Sequence, residues 1–212
     1  MNAKQAILMV KVIAENISKN KEWLTDLDTV IGDGDHGNNL AQGFDRAAEK
    51  ISALKNELPT EIFREVAMTL MSAVGGSSGP LYGSFFVKMA MRFRGTEEIS
   101  PELFGKALSD GVKGVMALGK ASVGDKTMLD TLVPACEQYN SALAEENDIT
   151  YALSKAFEAA KQGAESTISL LAKKGRASFY GEKSVGHKDP GAASSAIIIE
   201  AMLMSITNPD IK

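Results

Sequence analysis

Residues 28–39 read Asp-Thr-Val-Ile-Gly-Asp-Gly-Asp-His-Gly-Asn-Asn, an acidic turn that is followed at once by a helical pattern. Its three carboxylates, Asp28, Asp33 and Asp35, are crowded onto a glycine-rich segment and repel one another unless a cation neutralises them. Ligand sets made only of oxygen favour Mg²⁺ or Ca²⁺ over zinc or copper. The helix that follows presents N-terminal N–H groups, which attract anions. The acidic turn therefore predicts a site for a metal ion together with a polyphosphate.

Three other motifs compete for the acidic turn. Residues 32–37 match the spacing G-x-G-x-x-G, but a dinucleotide site also needs a preceding strand and a βαβ unit, which this sequence lacks. An EF-hand loop that begins at Asp33 would place Phe44 at position twelve, where glutamate is required. The third alternative is a solvated turn whose aspartates cap a helix. Three aspartates beside a histidine and two asparagines make that alternative the weaker one.

The composition is that of an ordinary globular protein, with 44% hydrophobic and 24% charged residues in a chain of 212. This length predicts a single domain, 1–212, with a substantial core. A net charge of −4 argues against partners that need a basic surface, namely nucleic acid and anionic membranes. The one cysteine, Cys136, excludes an internal disulfide and is expected to pack in a helix. We find no signal-peptide pattern and no apolar run of membrane-spanning length, so a cytoplasmic location is expected.

The spacing of apolar residues is helical in every long segment, and no stretch alternates convincingly as a strand does. Short connections between helices favour antiparallel neighbours. The sequence therefore predicts an all-α fold, an eight-helix antiparallel up-and-down barrel or bundle. The predicted helices run over about 3–20, 37–54, from 59, 81–93, 101–119, 127–146, 150–174 and 191–206. Ser100 followed by Pro101 predicts a helix start, and Gly175 is expected to end the seventh helix.

Two further connections are richer in glycine and serine than a helix link requires. Residues 75–80 contain small residues and the hydroxyl donors Ser77 and Ser78, which suits either a ligand contact or a tight helix corner. Residues 119–127 form the second of these connections. Residues 114–121, which overlap its start, approach a P-loop, but that motif fails because Ala121 stands where a Mg²⁺-binding hydroxyl is needed and a helix precedes it.

The connection over residues 176–190 is long and carries cations. The residues that could meet phosphate charge are Arg176, Lys183, His187 and Lys188. An ordinary solvated loop is the alternative. Because this segment has 15 residues and contains Gly181 and Gly186, it is also predicted to be a mobile lid.

Alternate connections of an up-and-down bundle lie at the same end. The acidic turn and residues 75–80, 119–127 and 176–190 are the first, third, fifth and seventh connections of the predicted fold. All four are therefore expected at one rim, and their combined chemistry predicts a single ligand site there.

The four connections also carry a family resemblance. The segments concerned are Ile-Gly-Asp-Gly-Asp-His-Gly (31–37), Val-Gly-Gly-Ser-Ser-Gly-Pro-Leu-Tyr-Gly (74–83), Gly-Asp-Lys-Thr-Met (124–128), Lys-Gly-Arg-Ala-Ser (174–178) and Gly-His-Lys-Asp-Pro-Gly (186–191). Together they resemble the nucleotide-binding L subunit of phosphotransferase-dependent dihydroxyacetone kinases, over essentially the whole chain. His36 points to the sugar-kinase branch, because relatives of the fatty-acid kinase type tend to carry Thr at this place.

The resemblance implies an eight-helix barrel that holds ADP and two Mg²⁺ at its rim. The implied metal ligands are Asp28, Asp33 and Asp35. The implied nucleotide contacts are His36, Gly37, Asn38, Asn39, Ser77, Ser78, Gly119, Thr127, Met128, Arg176, Asp189 and Pro190. No side chain of this protein is expected to act as a nucleophile.

The resemblance also implies partners. A K subunit would hold dihydroxyacetone, and an M subunit of the phosphotransferase system would carry a phosphohistidine. Tightly bound ADP would accept a phosphoryl group from the phosphohistidine and pass it to dihydroxyacetone. Two alternatives stay open: a nucleotide-binding subunit for another small ketose or a different acceptor, and a non-catalytic Mg²⁺–nucleotide sensor that binds a regulator. A plain helical metal-binding protein would carry no nucleotide.

Overall fold

The computed structural model describes residues 1–54 and 58–208, and within them the regular elements are all helical. The α-helices are α1 (Ala3–Lys19), α2 (Lys21–Ile31), α3 (His36–Ser52), α4 (Pro59–Ala73), α5 (Ser78–Arg92), α6 (Pro101–Gly119), α7 (Leu129–Glu146), α8 (Ile149–Ser166) and α9 (Pro190–Thr207). Two 3₁₀ helices, Thr167–Ser169 and Arg176–Ser184, lie between α8 and α9. The predicted all-α class is confirmed, whereas the single domain over 1–212 stays a prediction.

Several helix starts follow from local side chains. Asn2 accepts a hydrogen bond from the backbone N–H of Gln5, whose side chain accepts one from the N–H of Asn2, so that α1 begins with a capping box. The predicted start of α6 is confirmed, because Ser100 Oγ accepts from the N–H of Leu103 at 3.2 Å and Pro101 occupies the first turn.

The prediction of eight helices is wrong by one, since the described residues contain nine α-helices. The additional helix is α2, whose buried positions are Leu24, Asp28 and Ile31. This spacing is helical, but a carboxylate occupies the middle of the buried stripe, and so the apolar pattern is interrupted where the acidic turn was expected to begin.

The seventh predicted helix also ends earlier than expected, at Ser166 instead of Lys174. The chain turns into a 3₁₀ helix there, and the N–H of Gly186 donates to the carbonyl of Ile168 at 2.7 Å. Gly175 does adopt a left-handed conformation (φ 66°), but it precedes the second 3₁₀ helix instead of ending α8. Contacts with a distant segment therefore end this helix.

The helices pack in an order that brings the predicted rim together. α1 contacts α3, each helix from α3 to α9 contacts the next, and α9 contacts α1. α2 packs mainly on α3. A continuous core joins these helices, and its aromatic side chains meet edge to face, for instance Phe44 with Phe86 and Phe63 with Phe93.

One helix, α9, is by length and composition apolar enough to cross a membrane, with a mean hydropathy of 1.3, so the expectation that no run reaches this length is corrected. Two thirds of it, 67%, is buried inside the fold. Contacts with α1, α7 and α8 account for its apolar composition, because a helix that is packed on several sides has no polar face.

Candidate functional site

A cavity of about 390 Å³ opens at one end of the helices. Its lining comes from all four glycine-bearing connections: Asp28, Asp33, Asp35 and His36 from the first, Gly75 to Ser78 from the second, Gly119, Ala121, Thr127 and Met128 from the third, and Lys174 to Arg176 with Asp189 to Gly191 from the fourth. The expected convergence of these connections at one rim is therefore confirmed.

The three carboxylates of the acidic turn form one wall of the cavity. One oxygen from each of Asp28, Asp33 and Asp35 lies within 4.8 Å of the others. Asp28 projects from α2 and is buried, and its Oδ2 accepts hydrogen bonds from the N–H groups of Asp35 and His36 at 3.0 and 3.1 Å. Gly32 permits this approach, because a Cβ at that position would lie 2.0 Å from Asp28 Oδ1.

The charge of this cluster is incompletely balanced by the protein. Burial, and after it the neighbouring charge of Asp33, raises the pKa of Asp35. Asp33 itself pairs with Arg176, whose Nη1 lies 2.7 Å from its Oδ2. Three clustered carboxylates with only oxygen donors fit a hard divalent cation such as Mg²⁺. The donor set is therefore suited to the metal that the sequence predicts.

His36 lies behind the acidic wall, at the first position of α3, and is 8% exposed. Its Nδ1 is 3.0 Å from Ser78 Oγ, and its Nε2 is 2.9 Å from Ser194 Oγ. Burial lowers the pKa of His36, although the charge of Asp28 opposes that shift. The imidazole is thus a neutral group that connects α3 with the starts of α5 and α9.

Comparison with known proteins identifies the family of this chain. The model of the DAK2 domain matches residues 30–204 of the chain. The chain belongs to the DAK2 domain family. It is 40% identical over 188 residues to the "PEP-dependent dihydroxyacetone kinase, ADP-binding subunit DhaL" of Escherichia coli (strain K12), which covers 89% of this chain and 90% of that protein. The "PEP-dependent dihydroxyacetone kinase 1, ADP-binding subunit DhaL" of Listeria innocua serovar 6a is also 40% identical. That alignment spans 200 residues, which are 94% of this chain and 95% of that protein.

Solved structures extend the DAK2 comparison. The dihydroxyacetone kinase of C. freundii in its native form aligns with a TM-score of 0.70 and 30% identity, over 97% of this chain and 35% of that chain. Its complex with AMP-PNP and Mg²⁺ aligns with the same TM-score and 27% identity, over 97% of this chain and 34% of that chain. This DAK2 domain thus spans about a third of the C. freundii kinase.

Most of the residues that the sequence proposed for nucleotide contacts line the cavity of this DAK2 domain. They are His36, Ser77, Ser78, Gly119, Thr127, Met128, Arg176, Asp189 and Pro190. Gly37, Asn38 and Asn39 are not among the lining residues. A Cβ at Gly37 would lie 2.0 Å from the carbonyl of Lys21, so this glycine packs α3 against α2. The N–H of Asn39 donates to the carbonyl of Asp35 at 2.9 Å, and Asn38 is exposed. Contact of either asparagine with a nucleotide stays a prediction.

The cations of residues 176–190 divide into two groups. Arg176 lines the cavity of the DAK2 domain, whereas Lys183, His187 and Lys188 are not among its lining residues. Lys188 pairs with Glu165 at 2.6 Å and lies over the ring of Trp23. Lys174, which the sequence analysis did not single out, does line the cavity.

A buried group of charges at the third connection was not predicted from the sequence. Lys126 is fully buried in a left-handed conformation (φ 62°), and its ammonium donates to the carbonyls of Thr167 and His187 at 2.5 Å. Asp130 accepts from the N–H groups of Gly124 and Thr127 at 2.6 and 2.7 Å. The motif Gly-Asp-Lys-Thr-Met contains this lysine but gives no signal of its burial, because its partners Thr167 and His187 lie 41 and 61 positions away in the sequence.

Asp189 closes the cavity from the start of α9. Its Oδ2 accepts from the N–H of Ala192 at 2.7 Å, so it caps that helix. Burial raises the pKa of Asp189 to about 7, while the Ala192 hydrogen bond and the charge of Lys126 act in the opposite direction. The carboxyl group therefore titrates near neutral pH.

Proposed function

We propose that this chain is the ADP-binding subunit of a phosphotransferase-dependent dihydroxyacetone kinase. The observation that carries the proposal is the cavity itself, which places a carboxylate cluster and an array of hydroxyl and backbone donors around one space of nucleotide-compatible size. Relatives that carry the description of an ADP-binding kinase subunit match along nearly their whole length, which supports the same role here.

The two ends of a nucleotide would meet different walls of the cavity. Asp28, Asp33 and Asp35 would hold Mg²⁺, and we propose two ions. Bound Mg²⁺ neutralises phosphate oxygens and aligns the transferred group for in-line displacement. Ser77 and Ser78, which line the cavity, together with the N–H groups at the start of α5 would donate to phosphate oxygens. The apolar lining residues, which suit a base, are Leu81, Val115, Leu118, Met128 and Leu129.

The chain's own contribution to the reaction is position and charge. Arg176, at the rim, can leave Asp33 and meet the phosphate charge instead, since a guanidinium forms bidentate contacts with phosphate. No covalent intermediate on this chain is required, because in-line transfer needs only the nucleotide, the incoming donor and the acceptor. Tightly held ADP would thus serve as a resident phosphoryl carrier.

The acceptor and the donor would come from partner proteins. We propose a K subunit that holds dihydroxyacetone and an M subunit that bears phosphohistidine, and a cytoplasmic location is part of this proposal. The match to only 35% of the C. freundii kinase supports an acceptor site outside the region that this chain covers. The rim is accessible to a partner, since Phe179 is 89% exposed beside Arg176. Docking must be transient, so modest and polar contacts are expected.

Mass spectrometry of small molecules released by denaturing the purified protein tests the proposal, with ADP or ATP as the expected result. In a second step, the chain with ATP and dihydroxyacetone should give almost no dihydroxyacetone phosphate. Addition of a K subunit should give a single turnover of bound ATP, and repeated turnover should also require the phosphohistidine donor. Steady-state phosphorylation of dihydroxyacetone by the isolated chain would contradict the subunit role.

A different acceptor is the second candidate, and one observation favours it. The chain is 31% identical over 204 residues to the "L-erythrulose 1-kinase" of Mycolicibacterium smegmatis (strain ATCC 700084 / mc(2)155), of which it covers 35%. Assays of the assembled system with dihydroxyacetone and other small ketoses separate the two candidates. A sensor role would instead give nucleotide binding with no phosphoryl transfer to any of them.

A further inference from the structure

A chain of buried hydrogen bonds leads from the interior to the cavity. We call it the buried relay, and it consists of Tyr82, Ser194, His36 and Ser78. Tyr82 Oη is 2.7 Å from Ser194 Oγ, Ser194 Oγ is 2.9 Å from His36 Nε2, and His36 Nδ1 is 3.0 Å from Ser78 Oγ. Three helices supply these groups, α3, α5 and α9, and Ser78 and Tyr82 lie one turn apart on α5.

The hydrogen bonds of the relay can be oriented in two ways, because a neutral imidazole donates from one nitrogen and accepts at the other. In the inward order, Ser78 donates to Nδ1, Nε2–H donates to Ser194, and Ser194 donates to the carbonyl of Gly191, which lies 3.1 Å away. In the outward order, Tyr82 donates to Ser194, Ser194 donates to Nε2, and Nδ1–H donates to Ser78. Only the outward order leaves the hydroxyl proton of Ser78 available to the cavity.

Solvent takes no part in this choice, because Ser194 is fully buried and Tyr82 is 1% exposed. Tyr82 Oη also lies 2.9 Å from Ser195 Oγ and 3.3 Å from the carbonyl of Gly191. Donation from Ser195 would leave the phenol proton for Ser194, whereas the Gly191 carbonyl competes for that proton. Both ring nitrogens of His36 face hydroxyl groups, each of which can donate or accept, and burial raises the pKa of Tyr82, which keeps the phenol protonated. The position of one imidazole proton therefore decides what Ser78 can do.

We infer that Tyr82 and Ser194 are positioning residues, which act through the tautomer of His36 to direct the Ser78 hydroxyl toward a phosphate oxygen in the cavity. This inference rests on the proposed function, since it needs an anion beside Ser78. The reason lies in cooperative hydrogen bonding. Donation from the Tyr82 phenol polarises the Ser194 hydroxyl, which becomes a better donor to Nε2 and a poorer acceptor from Nε2–H. A bound phosphate then stabilises the outward order, because it accepts the proton that this order frees.

The substitution Tyr82→Phe tests the inference, because it removes one hydroxyl and leaves the ring in the core. Tyr139→Phe is the matched control, since Tyr139 is also buried but donates to the carbonyl of Pro101, away from the cavity. Long-range ¹H–¹⁵N NMR of the protein with Mg²⁺ and ADP reports the tautomer of His36. We expect Nδ1–H in the wild type and in Tyr139→Phe, and a shift toward Nε2–H in Tyr82→Phe.

Calorimetric titration with Mg²⁺–ADP gives the second readout. Tyr82→Phe should bind ADP about threefold to tenfold more weakly, the range expected for one hydrogen bond. In a Ser78→Ala background the same change should have almost no further effect, because the relay then has no hydroxyl to direct. A general loss of packing would instead weaken binding equally in both backgrounds.

The outcomes separate the inference from the proposed function. Unchanged His36 tautomers in Tyr82→Phe, or additive effects of the two substitutions, would overturn the inference while wild-type ADP binding stands. Failure of the wild type to bind ADP with Mg²⁺ would overturn the proposed function and the inference with it. Should Tyr82→Phe fail to fold, Ser194→Ala takes its place with the same expected loss of the Nδ1–H tautomer and the same criteria.

Discussion

The acidic wall and the buried relay lie on two sides of the same cavity but are built in opposite ways. Asp28, Asp33 and Asp35 come from eight consecutive positions, and two of them lie near solvent. The relay joins groups that are 42 and 158 positions apart in the sequence, and its central members are buried, Ser194 fully and His36 with 8% exposure. The first region acts through charge and the second through the direction of hydrogen bonds. The difference predicts which perturbations reach each of them.

Substitution of Asp28 should have the largest effect on ADP affinity, and it should disrupt the acidic wall without changing the buried relay. Asp28→Asn keeps an acceptor for the N–H groups of Asp35 and His36 but removes the buried negative charge. We expect Mg²⁺-dependent ADP affinity to fall on the order of 100-fold, about 3 kcal/mol, as for the loss of a charged contact. Calorimetry measures it, and Asp26→Asn, an exposed change on the same helix, is the control. Equal ADP affinity in Asp28→Asn and wild type would contradict the metal assignment.

At the start of α9, the pH dependence of stability distinguishes the charge of Asp189 from its role as a helix cap. Because the folded-state pKa of Asp189 is raised to about 7, the folded protein binds a proton that the unfolded chain has already released. Stability should therefore fall as pH rises from about 4 to about 7, with a slope approaching about 1.4 kcal/mol per pH unit. Asp189→Asn still caps the helix but does not titrate, so its slope should be smaller. Urea unfolding at pH 5, 6 and 7 checks this, and parallel curves would argue against the shifted pKa.

Nucleotide should protect the segment over residues 176–190, which borders the acidic wall. Phe179 is 89% exposed and Gly181 has φ 55°, outside the helical region, so chymotrypsin should cut here first in the free protein. With Mg²⁺ and ADP, contacts of Arg176 with phosphate should slow this cleavage about tenfold, provided that opening is reduced in proportion. Time courses by mass spectrometry measure the rate at each bond. Equal rates with and without nucleotide would remove the lid role, and cleavage elsewhere in the chain serves as the control.

The smallest expected effect concerns Arg176, whose guanidinium competes with Mg²⁺ for the carboxylate of Asp33. Its pair with Asp33 is largely exposed and contributes less than about 1 kcal/mol. Arg176→Ala should therefore bind Mg²⁺ alone about twofold to fivefold more tightly, yet bind Mg²⁺–ADP more weakly. Lys183→Ala, a charge removal in the same segment, controls for overall charge. Added salt should reduce the effect of Arg176→Ala and leave that of Tyr82→Phe almost unchanged, because screening acts on exposed charges. Equal salt dependence in both variants would refute this contrast.

Much of the site could be predicted because its signals are local. Helical spacing predicted the all-α class, and the parity of the connections predicted that four glycine-bearing turns share one rim. The prediction of helix bounds failed at two places, one where a buried carboxylate interrupts the apolar pattern and one where a contact with a later segment ends a helix. In α2, Asp28 occupies a core position, so the apolar stripe that would have revealed the helix is broken. At the end of α8, the hydrogen bond from Gly186 to Ile168 ends a pattern that continues in the sequence.

The sequence by itself determined the all-α class, the shared rim and the crowding of the three carboxylates, because periodicity and charge density are properties of neighbouring residues. Only the tertiary structure decided the pairing of Asp33 with Arg176, the burial of Lys126 and which groups join the relay. Each of these depends on a distance between segments that lie far apart in the chain. A hydrogen bond between distant segments leaves no repeating pattern in the sequence from which it could be predicted. A buried polar group is stable only beside the partner that folding brings to it.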